Sequence, residues 1–474
     1  MTSVQQVLAR LGSLPLERRQ AALALLAKRG SEFGVFPLSP AQHRLWFLAS
    51  LYGSSPIYNV PYAFRLTGAV DPAALEEALR GLIRRHAMLR TAFFDVDGDP
   101  YQLVLRDVPF TLVRGAADAE RIGALLDAEA VRAFDLRKAP LLRASLVDLR
   151  DGSSLLLLSL HHVVCDGWSM GVIFADLEEL YAAARAGREP ELAPLPLRYV
   201  DYVRWELSES RSEARQERLQ YWLDHLTGAP ELLALPTDRP RPPVQSFKGS
   251  YELVQWSRDL NRALDAFCRA EGVTTFMVLL AAFVTLLHRS SGHEDVVVGV
   301  PFANRGRPEL EGIVGFFVNT LALRFRPSGG MTFRELLRQV RDVTVAGQAN
   351  QDVPFETVVL ALRQGRSRSH HPVFQVSFAV QADDTEALRL PGLSVEVVYA
   401  DTGTAKFDLT LAFIPLEQGL KGMLEYDGAL FDAATARRLL DELRALVTAA
   451  VEAPERTLAE LPLQPTEELD AAPR

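Results

Sequence analysis

The chain is poor in cysteine. Its 474 residues include only Cys165 and Cys268, which excludes a disulfide framework and fits a reducing compartment. It also lacks a block of positive charge. Lysine and arginine total 51 against 60 aspartates and glutamates, a net charge of −9, and the two signs are interspersed. A nucleic-acid surface needs clustered positive charge, so no nucleic-acid partner is implied. No apolar h-region near the N-terminus suggests a signal peptide. The longest apolar stretch, residues 273–287, is broken by Thr274, Thr275 and Thr285. It falls short of the roughly 20 residues that a membrane span needs and reads as a buried helix. Together these absences predict a soluble, cytoplasmic protein without a membrane partner.

What is present is globular: 48% hydrophobic and 23% charged residues. The length exceeds one small core and suggests two lobes of about 200 residues each. The chain is organised around residues 155–169, LLLLSLHHVVCDGWS. The apolar run reads as a buried strand. Asp151-Gly152 supplies a turn before it, with residues 141–149 as the partner strand of a hairpin. The strand then delivers His161, His162, Cys165, Asp166 and Gly167 to an edge or cleft.

Successive strand side chains point to opposite faces. If the strand continues through His161 and His162, one can be structural, its ring held by backbone hydrogen bonds, while the other faces a cavity. Four readings fit the cluster: core histidines with a capping aspartate; a metal site, for which adjacent histidines pointing apart are poor chelators; a nucleophile elbow at Gly167-Trp168-Ser169-Met170-Gly171, which fits G-x-S-x-G before a helix over residues 172–186; or a histidine general base with Asp166 holding the loop. Gly167 permits a turn or a close approach that a side chain would block.

In chain order, residues 4–11 and 16–28 read as two short helices. A helix starts after Ser39-Pro40, and residues 62–66 form a strand. Asp71-Pro72 caps a helix with Leu75, Leu79, Leu82 and Ile83 on one face. Residues 189–197 and 236–243 (PTDRPRPP) are linkers, and the lobe boundary falls between 190 and 245. A strand at 251–256, a helix at 260–271 stopped by Gly272, the buried helix, a strand at 295–300 and a terminal helix at 439–451 complete the second lobe. The resulting division is a helical segment over 1–34, a lobe over 35–195, a linker region over 196–245, a second lobe over 246–464 and a tail over 465–474.

The motif HHVVCDGWS closely resembles the HHxxxDG signature of condensation domains of nonribosomal peptide synthetases, in the superfamily that includes chloramphenicol acetyltransferase. Six further stretches resemble that family's other motifs in order: LSPAQHRLWFLASL (38–51); RHAMLRT (85–91), where Ala87 replaces the usual glutamate; YVDYVRW (199–205); IVGFFVNTLALR (313–324); NQDVPFE (350–356); and, loosely, RSRSHHPVF (366–374). The histidines His370 and His371 there lack a trailing Asp-Gly and read as a loop.

The resemblance implies an α/β fold of two chloramphenicol-acetyltransferase-like lobes forming a V-shaped pseudo-dimer with a central active-site tunnel. It implies an acyltransferase that forms amides. The amine of a downstream aminoacyl-carrier thioester attacks an upstream acyl, aminoacyl or peptidyl thioester. Both substrates ride on 4'-phosphopantetheine arms of carrier proteins, with no cofactor or metal held by the domain and an adenylation domain following the tail. His162 becomes the proton acceptor, and His161 and Asp166 become structural, Asp166 through an ion pair with Arg85. Gly167 gives room for the thioester arms and a candidate N–H for the oxyanion. Arg90, Ser169 and Asn319 are second-tier candidates, and Trp168 is packing. The alternative is a starter domain taking its donor from acyl-CoA, suggested by Met1 opening the chain with no carrier before it. If the N-terminal helices dock to another synthetase, that points the other way. A non-catalytic recruitment platform is the remote alternative. His161-His162 excludes a heterocyclisation domain, and the YVDYVRW and NQDVPFE matches and the exit tail favour condensation over epimerisation.

Overall fold

Capping chemistry sets most of the helix starts. In the computed structural model, residues 34–464 are described apart from 54, 363–366, 382–387, 399–400 and 417–418, together with 13–15, 18, 21 and 22. The expected N-terminal helices and the tail from 465 lie outside the described residues, save that 18, 21 and 22 are helical. The chain runs β1 (Gly34–Pro37), α1 (Pro40–Tyr52), β2 (Asn59–Thr67), α2 (Pro72–Arg85), β3 (Thr91–Val96), β4 (Asp99–Val104), β5 (Val113–Ala117), α3 (Ile122–Ala130), β6 (Leu142–Leu149), β7 (Ser154–His161), α4 (Gly167–Ala186) and α5 (Tyr199–Glu209). It continues with α6 (Glu213–Leu226), β8 (Gly249–Trp256), α7 (Arg258–Glu271), α8 (Thr275–Ser291), β9 (Val296–Phe302), β10 (Asn319–Phe325), α9 (Phe333–Ala349), α10 (Phe355–Leu362), β11 (Val376–Val380), β12 (Ser394–Val397), β13 (Leu409–Leu416), β14 (Gly419–Asp427) and α11 (Ala433–Glu452). Ser39 closes a capping box with Gln42 at the start of α1, and the Asp71 carboxylate takes the Ala73 and Ala74 N–H groups at the start of α2.

Two compact units result. The first comprises the described residues within 1–212, 303–318 and 384–402; the second, those within 213–302, 319–383 and 403–474. The first break, after Ser212, falls inside the expected 190–245 interval. A contiguous second lobe over 246–464 does not describe this division, because residues 303–318 and β12 join the first unit. Their hydrogen bonds explain this: β12 adds to the edge of β2, and the Gly315 and Phe317 N–H groups donate to the side chains of Ser169 in α4 and of Asp166, its cap.

The first unit carries a five-stranded sheet ordered β12-β2-β7-β6-β5 and a three-stranded sheet ordered β1-β4-β3. The leucine run makes β7 the central strand, with all eight residues buried. Both faces are covered, so polar alternation is absent. Leu156, Leu158 and Leu160 enter the main core with α2 and α4, while Leu155 and Leu157 pack with Leu126 of α3 and Val147. The expected hairpin is present, with β6 antiparallel to β7 and Leu142 opposite Leu160.

The second unit is built on a six-stranded sheet ordered β10-β9-β11-β13-β14-β8. The apolar stretch near 273–287 is α8, capped by Thr274 and stopped by Gly292, with residues 278–288 buried all round. Among the described residues no single helix is long and apolar enough to cross a membrane. Helix α6 docks on β10 through His225, whose Nε2 accepts the Arg324 N–H at 3.0 Å. Arg324 in turn reaches Asp295 at 2.6 and 2.8 Å. Burial, with Arg324 and Arg326 nearby, lowers the His225 pKa to about 4 from an ordinary 6.5. The unfolded chain therefore binds a proton that the fold rejects. The resulting stabilisation is complete above pH 6.5 and disappears as pH falls towards 4. Between pH 7.5 and 5 this site should lose about 2 kcal/mol. Urea titrations should show that component in the wild-type chain and its absence in His225→Gln.

Candidate active site

At the end of β7 the chain reaches His161, turns through a single 3-10 turn, His162–Val164, and enters α4 at Gly167. Val163, Val164 and Cys165 are fully buried and anchor this turn. The helix starts five residues before the periodicity suggested. Asp166 is a strong N-cap, whereas Gly167-Trp168-Ser169 shows no helical apolar repeat, so capping rather than pattern sets the boundary.

The two histidines part ways because the strand ends between them: His161 is the last residue of β7 and His162 opens the 3-10 turn. His161 is buried, with its Nδ1 accepting the Val163 N–H at 3.1 Å and its ring beside Tyr58 and Phe134. His162 is half-buried. Its Nδ1 lies 2.7 Å from the Cys165 carbonyl oxygen. A carbonyl can only accept, so Nδ1 carries the proton and the neutral ring's lone pair is at Nε2. The His162 ring meets Phe316 at 5.0 Å and 68°.

Asp166 is the centre of a buried polar network. Its Oδ1 accepts from the Ser169 N–H at 2.8 Å, the Ser169 hydroxyl at 2.6 Å and Arg305 at 3.1 Å; its Oδ2 accepts from the Phe317 N–H at 3.0 Å. Arg305 also donates to the carbonyls of Leu310 and Ile313 and lies 4.0 Å from the Phe317 ring centre. Burial lowers the Arg305 pKa, and Asp166 opposes that shift. The expected Asp166–Arg85 pair is not formed. Arg85 binds Asp176 at 2.8 Å and the Ala193 carbonyl instead. Asp176 is on the face of α4 that packs on α2, within reach of Arg85, and it also accepts from His86 Nε2 at 2.7 Å. His86 is buried with no partner for Nδ1 among the described residues, and burial holds its pKa down.

Ser169 is fully buried inside this network, hydrogen-bonded to Asp166 and Gly315, and is no exposed elbow nucleophile. Gly167 is exposed, and a Cβ there would meet nothing within 4 Å. Its φ is not in the left-handed region either, so no turn of the chain requires glycine. Trp168 donates its indole N–H to the Glu311 carbonyl at 2.9 Å. Arg90 is buried, with NH1 on the Leu105 carbonyl. Asn319 belongs to the second unit, where its hydrogen bonds go to backbone: it donates to Gln351 and Val353 at 2.7 Å each and accepts from Thr320 and Phe355 at 3.0 Å. It clamps the 350–356 stretch to β10. The Cys165 thiol is fully buried, and burial beside Asp166 pushes its pKa well up. Among the described residues no group of histidines, cysteines and acids could hold a metal ion.

The residues not foreseen as site members are Arg305, Tyr199, Gly315 and Ser39. Tyr199 OH donates to the Phe316 carbonyl at 2.6 Å and so accepts from the Ser39 hydroxyl at 3.0 Å. A Cβ on Gly315 would come within 2.2 Å of the Tyr199 ring. Ser39, Tyr199 and Gly315 lie in stretches that the motif pattern marks, and Arg305 lies just before one, but only the fold shows what they bind.

A condensation-domain family model matches residues 33–471. A linear gramicidin synthase of Brevibacillus parabrevis is 44% identical over 436 residues, which is 90% of this chain and 6% of that protein. Phosphinothricin tripeptide synthetase PhsC of Streptomyces viridochromogenes is 41% identical over 454 residues, 94% of this chain and 42% of that protein. The X-domain from teicoplanin biosynthesis, a solved structure, superposes with a TM-score of 0.83 at 31% identity, covering 90% of this chain and 97% of that one. The chain thus belongs to the condensation-domain family, the amide-forming acyltransferases of nonribosomal peptide synthetases. It spans a small part of the gramicidin synthase and less than half of the tripeptide synthetase.

Removing one partner of a buried ion pair costs about 3–5 kcal/mol. Asp166→Ala and Arg305→Met should each lower stability by that order, and the double variant should lose much less than their sum. Chemical denaturation should find no such coupling between Asp166 and Arg85.

Proposed function

We propose that this domain joins two carrier-bound substrates through an amide bond. The α-amine of an aminoacyl thioester on a downstream carrier protein attacks the carbonyl carbon of an acyl, aminoacyl or peptidyl thioester on an upstream carrier. Both are tethered by 4'-phosphopantetheine arms. The C–N bond forms as the carbonyl electron pair moves to oxygen. The ammonium proton of the tetrahedral intermediate passes to Nε2 of His162. The carbonyl reforms, the C–S bond breaks, and the leaving thiolate takes the proton back from His162.

The observation that carries this reading is the Nδ1–H of His162 on the Cys165 carbonyl, which directs the basic lone pair to Nε2. An imidazole and an α-amine ordinarily titrate within about 1.5 units of one another, so proton exchange between them is easy at neutral pH. Gly167 supports it in two ways. Its N–H stands in the first turn of α4, where the helix dipole favours developing negative charge. Among the described residues nothing lies within 4 Å of a Cβ there, which leaves room for groups that arrive from outside.

The test is intact-protein mass spectrometry of an aminoacyl-loaded downstream carrier. One arm receives a loaded upstream carrier, the other a panel of acyl-CoAs. The expected result is a mass increment in the upstream-carrier arm that is slower by about 10²-fold or more in a folded His162→Ala variant. An increment from acyl-CoA alone would make the domain a starter that N-acylates the first amino acid. No His162-dependent increment in either arm would contradict amide formation here. Gly167→Leu should keep its melting temperature and lose turnover; full activity in that variant would remove the crowding and oxyanion role.

A further inference from the structure

We infer that Phe316 is a positioning residue for His162 and that Tyr199 acts one step further out by holding Phe316. The hydrogen bond at Nδ1 restricts rotation of the imidazole about Cβ–Cγ, and a contact on the ring narrows the tilt that remains. A second constraint on His162 is the Phe316 ring, 5.0 Å away at 68°, the geometry of an edge-to-face pair. Phe316 is itself 3% exposed and has little freedom.

The backbone around Phe316 is held residue by residue, although it belongs to no helix or strand. Gly315 N–H donates to Ser169 Oγ at 3.1 Å, and the Ser169 hydroxyl shares its one proton between the Gly315 carbonyl and Asp166. The Phe316 carbonyl accepts from Tyr199 OH at 2.6 Å. The Phe317 N–H donates to Asp166 at 3.0 Å. Three consecutive residues are thus fixed by three buried polar side chains. The aromatic stretch beginning at Tyr199 would otherwise read as core packing alone. Here it governs the angle at which His162 presents Nε2.

The functional part of this inference rests on His162 being the proton acceptor, but the spectroscopic part does not. In the full chain labelled with 15N-histidine, the His162→Ala spectrum identifies the His162 pair among the nine histidines. The wild type should show a protonated Nδ1 and an unprotonated Nε2. In Phe316→Leu the two signals should move towards each other as the ring samples both tautomers. Turnover in the amide-forming assay should fall about 10-fold or more, with KM little changed. In a His162→Ala background the same substitution should change turnover by less than about 2-fold, because a residue acting through His162 has nothing left to act through. Tyr199→Phe keeps the ring that packs on Gly315 and should give a smaller shift in the same direction. An unchanged His162 pair in Phe316→Leu, or losses that multiply with His162→Ala, would overturn the inference. Should Phe316→Leu fail to fold, Tyr199→Phe decides by the same two readouts.

Discussion

Asp166 and Arg305 are opposite charges removed from water, their side chains 2% and 1% exposed. Isolated charges in such a place would cost many kcal/mol, and the pair is tolerable only if the remaining lone pairs and N–H groups are matched. The local backbone and the Ser169 hydroxyl do most of that matching, and only the Arg305 Nε–H is left without a partner among the described residues. The Asp166 carboxylate takes two backbone N–H groups and a hydroxyl besides the guanidinium, and the guanidinium takes two carbonyls. The requirement to satisfy one charge pair thereby dictates where α4 begins, how residues 305–317 run and which side chain faces His162.

This explains why so few of the marked residues meet the chemistry. In the proposed reaction only His162 and Gly167 act on the reacting atoms. Ser169 serves the ion pair. Gln42 bridges the α1 cap to the Val163 carbonyl, and Tyr199 ties Ser39 to Phe316. A half-buried histidine on a turn is easily made. A histidine with one fixed tautomer and one fixed plane needs this surrounding shell, and the signature stretches supply it from distant parts of the chain.

Elements whose causes are local were legible in the amino-acid sequence. The leucine run of β7, interrupted only by Ser159, the Asp71 cap, the Gly272 stop and the apolar α8 needed no tertiary information. The split between His161 and His162 was expected from strand alternation, but it comes from the strand ending at His161 and a 3-10 turn starting at His162. Long-range choices were not legible. Arg85 and Arg305 are both arginines in or beside marked stretches, and only the packing of α2 on α4 shows that Asp176 claims the first, leaving the second to Asp166. The start of α4 was missed because a cap outweighs a periodic pattern that begins later. β12 joined the first unit through strand pairing and residues 303–318 through bonds to the Asp166 and Ser169 side chains, and neither has a local signature.

If Asp166 binds the loop before α4 and the 313–317 stretch into one cooperative unit, the N–H groups of Ser169 and Phe317 must open together. Native-state hydrogen exchange measures this directly. Both amides should show opening free energies within about 0.5 kcal/mol of each other, and both should fall together in Arg305→Met. A Phe317 amide exchanging as an ordinary loop, while Ser169 stays protected, would show that the carboxylate does not hold the two segments as one.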